Sequence, residues 1–395
     1  MSTTEILNIR AKADQVVKDL RNTAQAVAST LPSGGADNGA VNLVREIMDQ
    51  NRKRHGSIAR RYNLFPIKDW QSYAFYKKQE AAVWTANEID YVKDRPDYAK
   101  LSDKERHLVD IILAFFAPGD GLVSNNLSMR FILGAATYEE QAFFIAQMFI
   151  ELVHAETYGM LIATIITDKK RQEELFNLVD TVECVKAKAE FMEYYTAEEM
   201  PMCDRFAAFA AAEGIFFSVL FMFVFWFRSK GKMQSLVFAN EQISKDECLH
   251  RDFGAYKWRM TSQGDLEAPN RAIAIILKAV EIERRFIDYI LSFGDVEELT
   301  IASANQYLET VTDSLFHEMG LPTMYNVTVP FPWMNDISMT QKSNFYEVRV
   351  GAYSRFSVEE ALEKARKLSG DFVEGASNDP EVVESIYDNT DDVEF

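Results

Sequence analysis

Residues 141–161 read QAFFIAQMFIELVHAETYGML, and the way this stretch coils decides the rest of the chain. At 3.6 residues per turn, Glu151, His154 and Tyr158 fall on one face at i, i+3 and i+7. A carboxylate, an imidazole and a phenol then point together into whatever that face covers. Burying a charge without a partner is expensive, and a metal ion between Glu151 and His154 answers that cost. Spacing alone leaves a blander alternative open, an exposed Glu151 beside a satisfied core histidine.

The pattern recurs. Glu247-Cys248-Leu249-His250, inside ANEQISKDECLHRDF, repeats the carboxylate and imidazole at i, i+3. Two such turns on different helices, with one further carboxylate from each of two other helices, form the ligand set of a dinuclear carboxylate site in a helix bundle. Glu213 heads the apolar run GIFFSVLFMFVFWF, and Asp120 follows IILAFFAPG. These two complete a set of six: Asp120, Glu151, His154, Glu213, Glu247 and His250.

The surrounding chain suits such a bundle. Of its 395 residues 48% are apolar, 28 of them Phe, and Val, Ile and Thr rarely alternate with polar residues over a strand's length. The reading is all-α. A net charge of −18 argues against nucleic-acid or anionic-membrane binding, which needs a basic surface. Half of that excess lies in residues 371–395, where nine acidic residues meet no Lys or Arg, as in a solvated tail that docks on a basic partner. Cys184, Cys203 and Cys248 show no paired spacing and follow no secretory leader, so a reducing cytoplasmic setting is expected. The best membrane candidate, residues 214–227, falls short of the roughly 20 residues a spanning helix needs. It reads as a helix buried on every side.

Along the chain, residues 1–62 form a helical extension and the flexible connector LPSGGADNGA. The main domain is expected over 63–355, and a short helix with the acidic tail over 356–395. Within the main domain a helix is predicted over Leu101–Ala117, opened by a Ser102/Glu105 capping box and interrupted by Pro118-Gly119. Others are predicted over Tyr138–Ile166, Met202–Phe227, Lys232–Thr261, Pro269–Phe293 and Thr300–Glu318. A second capping box, Ser357 and Glu360, opens the late helix.

With the six candidates located, the chain resembles the small, radical-generating subunit of class I ribonucleotide reductase, in wording closest to the eukaryotic and viral branch. WTANEIDYVKD, LAFFAPGDGLV, IELVHAETYGML, AEGIFFS and ANEQISKDECLHRDFGA carry the resemblance, in register across residues 65–355. It implies a ferritin-like bundle enlarged by extra helices and two iron ions joined by an oxo bridge, with manganese open because the ligand types serve both. Asp120, Glu151 and His154 would bind one ion, and Glu213, Glu247 and His250 the other. Tyr158 would carry a stable radical. Phe217 and Phe221, one and two turns after Glu213, and Ile243, one turn before Glu247, can line its pocket and are similar to the family's pocket residues.

The resemblance also implies a transfer path from His154 through Asp246 and Trp84, continued by Tyr387 towards a large catalytic subunit. The tail ending in Phe395 would dock there. A homodimer is expected, through exposed faces of the long helices. Two departures stand out, Lys245 where the family usually has arginine and Tyr387 unusually near the terminus. From the residues alone Tyr158 reads more readily as a core tyrosine whose hydroxyl bonds to Asp120 or elsewhere. Two other functions fit a bundle with this ligand set, a self-contained oxidase or desaturase and an iron store. The first would not need Trp84, Asp246 or a docking tail, and the second would not need so long a chain.

Overall fold

Apolar residues spaced three and four apart make helices here, and burial rather than intrinsic propensity holds them. The computed structural model describes residues 63–126, 130–177, 182–197, 199–334 and 357–370, with backbone alone for 117–126 and 370. Among them there is no strand beyond an isolated bridge, Val296 to Leu299. The α-helices are α1 (Trp70–Ala81), α2 (Arg95–Lys100), α3 (Asp103–Asn126), α4 (Tyr138–Ile165), α5 (Lys169–Phe176) and α6 (Glu183–Tyr195). They continue with α7 (Met202–Ala211), α8 (Ser218–Ser229), α9 (Gln234–Thr261), α10 (Ala268–Ile290), α11 (Ile301–Glu318) and α12 (Val358–Gly370).

Helices α3 and α4 pack together, α9 packs on α7 and α8, and α1 touches both α4 and α9. The centre of the bundle is aromatic. Phe143 and Phe253 join α4 to α9 at 3.9 Å between centroids, and Phe144 meets Phe206 and Phe209 of α7. Each such buried ring contributes roughly 1.5–3 kcal/mol relative to exposure. The helical run 202–229 is 94% buried over its most apolar stretch, so its length and composition reflect the core.

Caps fix the axial positions of the helices that matter. Thr137 Oγ1 accepts from the Glu140 amide to start α4, and the Ser102/Glu105 box starts α3 with reciprocal bonds of 3.3 and 2.8 Å. Helix α9 follows Met233, whose φ of 55° gives it no cap of its own. The Asp94 carboxylate supplies one from afar, accepting from the Ser235 and Leu236 amides at 2.8 Å each. The negative charge also opposes the positive helix end.

Three features differ from expectation. Helix α3 runs on through Pro118-Gly119 to Asn126, because packing against α4 outweighs the one amide the proline lacks. The single helix predicted from Met202 is split by a π turn, Ala212–Phe216, containing Glu213. There a Cβ on Gly214 would lie 2.9 Å from the Arg251 side chain of α9, so only glycine permits this approach. Helix α12 is not a free appendage. Its Leu362 and Ala365 pack with Ile67, Tyr73 and Ala74 at the start of the bundle.

Candidate metal centre

Glu151 on α4 and Glu247 on α9 each reach both imidazoles. Glu151 has one oxygen 3.3 Å from His154 Nδ1 and the other 3.0 Å from His250 Nδ1. Glu247 repeats this at 3.2 and 3.1 Å. Glu213 enters from the π turn, and ligand atoms of Glu151, Glu213, Glu247 and His250 lie within 4.8 Å of one another. All five side chains are buried. Asp120 lies on α3, and its side chain falls outside the described residues.

The arrangement fits cations. Glu151 Oε2, Glu213 Oε2, Glu247 Oε1 and His154 Nδ1 are buried without a hydrogen bond, although buried polar atoms are nearly always paired. Each is an atom that ligates metals. Burial raises the Glu151 carboxyl, but the two imidazoles overcome it and bring it down to about 2. Burial lowers His250, yet Glu151 and Glu247 carry it up to about 9. His154 is likewise lifted well above its usual range against burial, chiefly by Asp246, then by Glu151 and Glu247. Burial, then the charges of Glu247 and Glu151, push the Glu213 carboxyl well up. Cations bound there would displace the protons that these shifts favour.

Behind the ligands sits a layer that orients them. Asp246 Oδ2 accepts from Trp84 Nε1 at 2.9 Å and lies 3.0 Å from His154 Nε2, and the Trp84 and His154 rings are 6.0 Å apart. Asp246 Oδ1 accepts from Gln79 Nε2 at 2.9 Å, while Gln79 Oε1 lies 3.0 Å from His250 Nε2. One glutamine thus joins the two histidine environments. With both Nε2 atoms facing acceptors, both Nδ1 atoms are turned towards the carboxylates, where they can ligate a cation once unprotonated. Gln147 Nε2 donates to Glu213 Oε1 at 2.7 Å.

Tyr158 is fully buried and donates to Asn240 Oδ1 at 2.7 Å, rather than to a ligand among the described side chains. Its ring is parallel to that of Phe116, within 2° at 4.5 Å. Phe217 and Phe221 contact Phe116 at 5.9 and 5.2 Å, so the expected wall reaches the tyrosine with Phe116 as its innermost ring. Ile243 is buried in the same core. Phe116, Asn240 and Gln79 escaped the sequence reading. Phe116 stands one turn before Asp120, and Asn240 lies seven residues before Glu247, so spacing could have found both. Nothing in WQSYAFYKKQEA marks Gln79. Tyr387 and Phe395 lie outside the described residues.

A family profile described as the ribonucleotide reductase small chain matches residues 61–332. The ribonucleoside-diphosphate reductase small subunit of Dictyostelium discoideum is 41% identical over 317 residues, 80% of this chain and 91% of that protein. The small chain of vaccinia virus (strain Western Reserve) is 38% identical over 312 residues, 79% and 97% of the two chains. Among solved structures, the ribonucleotide reductase Rnr4 homodimer from Saccharomyces cerevisiae matches with a TM-score of 0.63 at 28% identity, covering 78% of this chain and 99% of its own.

Proposed function

The chain belongs to the ribonucleotide reductase small-chain family, and from that premise we propose that it binds two metal ions, generates a radical at Tyr158 and lends it to a large subunit. This is a ribonucleoside-diphosphate reductase small subunit, an oxidoreductase on a ferritin-like bundle. Its large partner would hold the ribonucleotide.

The observation that carries the reading is the shared position of Glu151 and Glu247, each offering one oxygen towards each imidazole nitrogen. Asp120, Glu151 and His154 would hold one ion, and Glu213, Glu247 and His250 the other. Four carboxylates balance two divalent cations, and oxygen-rich ligation with imidazole suits iron or manganese. When bound, the ions with dioxygen supply an oxidant strong enough to take one electron from a nearby phenol. Tyr158 would give up that electron and, with it, its hydroxyl proton, both taken up in reducing the dioxygen, while Phe116 and the residues behind it exclude water and reductants. Asp246 couples His154 to the Trp84 indole, a start for electron and proton movement towards the surface. Tyr387 and the tail ending in Phe395 would continue it and dock on the large subunit, so we assign 63–355 to the bundle, 1–62 to an extension and 356–395 to a short helix and the acidic docking tail.

A second copy of this chain is assigned to α4. Ile145, Phe149 and Leu152 are about half exposed at i, i+4 and i+7, an apolar stripe of the kind helix pairs bury. Three unpaired cysteines suit the reducing cytoplasm we assign it.

Electron paramagnetic resonance after adding ferrous iron and oxygen tests the function. A tyrosyl signal absent in Tyr158→Phe is expected. A reconstituted wild type with no such signal would sink the radical role, and turnover of a hydrocarbon instead would favour an oxidase.

A further inference from the structure

Lys188 of α6 and Glu283 of α10 meet in the core, outside the set that binds metal. Their side chains are 3% and 0% exposed, and Lys188 Nζ stands 2.6 Å from Glu283 Oε2. The ammonium also donates to the backbone oxygen of Phe216 at 3.1 Å, the last carbonyl of the π turn. It lies 3.8 Å from the ring centre of Phe286 and 4.1 Å from that of Phe115.

The neighbours of those contacts give them meaning. Phe115 precedes Phe116, the ring against Tyr158, and Phe216 precedes Phe217, which stacks on Phe116. Phe216 also closes the turn that carries Glu213. One cation therefore touches both segments that wall the tyrosine, through the Phe115 ring on one and the Phe216 carbonyl on the other, and the second segment holds a ligand. Fold stability alone does not account for the pair, because desolvating two ions costs several kcal/mol each and apolar replacements are often as stable. Burial pushes the Glu283 carboxyl up to about 7 and the Lys188 ammonium down, as expected of so dry a site.

We propose that Lys188, held by Glu283, is a positioning residue that clamps the π turn and so fixes Glu213 and the Phe116–Phe217 wall of Tyr158. The Glu213 part rests on the metal-binding reading above.

The double variant Lys188→Met/Glu283→Leu removes both charges at similar volume. With the variant folded by circular dichroism, amides of residues 212–221 in the metal-free protein should exchange with deuterium several-fold faster than wild type. Mn(II), followed by the paramagnetic signal of the free ion, should bind about tenfold more weakly at one of two sites, the scale of losing a supporting contact. Glu283→Gln, which keeps the volume, should move both readouts the same way by a smaller factor. Wild-type exchange and Mn(II) binding in a folded double variant would overturn the clamp. So would unchanged readouts in Glu283→Gln, even where the double variant does not fold. A wild type that binds no Mn(II) would instead remove the metal-binding reading, while the metal-free exchange experiment still decides the clamp.

Discussion

Phe116 lies face to face with Tyr158, the ring planes 2° apart and the centroids 4.5 Å apart, both rings fully buried. Phe116→Ala would open a cavity against the phenol and destabilise the protein by about 3–5 kcal/mol. The tyrosyl signal should then decay faster than in wild type at the same metal loading, because reductants and water gain a path. An unchanged decay rate would mean that the ring packs without protecting.

Gln79 tests the orienting layer without replacing a ligand. Gln79→Leu removes both polar atoms and leaves Asp246 Oδ1 and His250 Nε2 without their shared partner. Metal affinity should fall by roughly 10–100-fold, typical of lost outer contacts, in a folded protein. Calorimetric titration with Mn(II) measures it, and wild-type affinity would remove Gln79 from the site.

The proton-filled centre makes pH act in opposite directions on stability and binding. The His250 value rises from 6.5 to about 9 on folding, so its contribution is complete below pH 6.5 and is lost as pH climbs through 9. The raised carboxyl of Glu213 has the same sign above its ordinary 4.5. The metal-free protein should thus lose stability between pH 6.5 and 9, on the order of 3 kcal/mol from His250. Mn(II) affinity should increase over the same interval, because ligands must shed protons to bind. Melting temperatures and titrations at the two pH values decide, and parallel trends would contradict this account.

Leu152→Glu, with Ile145→Glu as a second variant, puts charge on the exposed stripe of α4 at half-exposed positions. Sedimentation should change from dimer to monomer with helicity retained. A wild type that sediments as a monomer, or variants that remain dimeric, would move the second copy to another face.

A chain ending at Tyr387 lacks residues 388–395, DNTDDVEF, and with them Phe395. It should keep a wild-type radical signal and lose ribonucleotide reduction when mixed with the large subunit. Full activity in the shortened chain would refute docking through Phe395.

What the sequence made legible follows from distance along the chain. Glu151 with His154 and Glu247 with His250 are one turn apart, so helical geometry joins them before any packing is known. Trp84 and Asp246 are 162 positions apart, and their bond was expected only through family likeness. Gln79 meets the centre from another helix, where spacing gives no hint of the partner. The turn at Glu213 was hidden because it depends on Gly214 meeting Arg251, a fact of tertiary packing. Helix α3 ran past its proline for a related reason, since neighbours override local preference in a buried element.

A π turn is one helical turn with an additional residue threaded into it. Deleting a single residue between Ala212 and Phe216 would rotate everything downstream by about 100° about the helix axis. Phe217 and Phe221 would swing away from Phe116 even as Glu213 kept its place, or the reverse. Ligand and shield therefore share one register, and a lineage that loses the insertion cannot keep both in place.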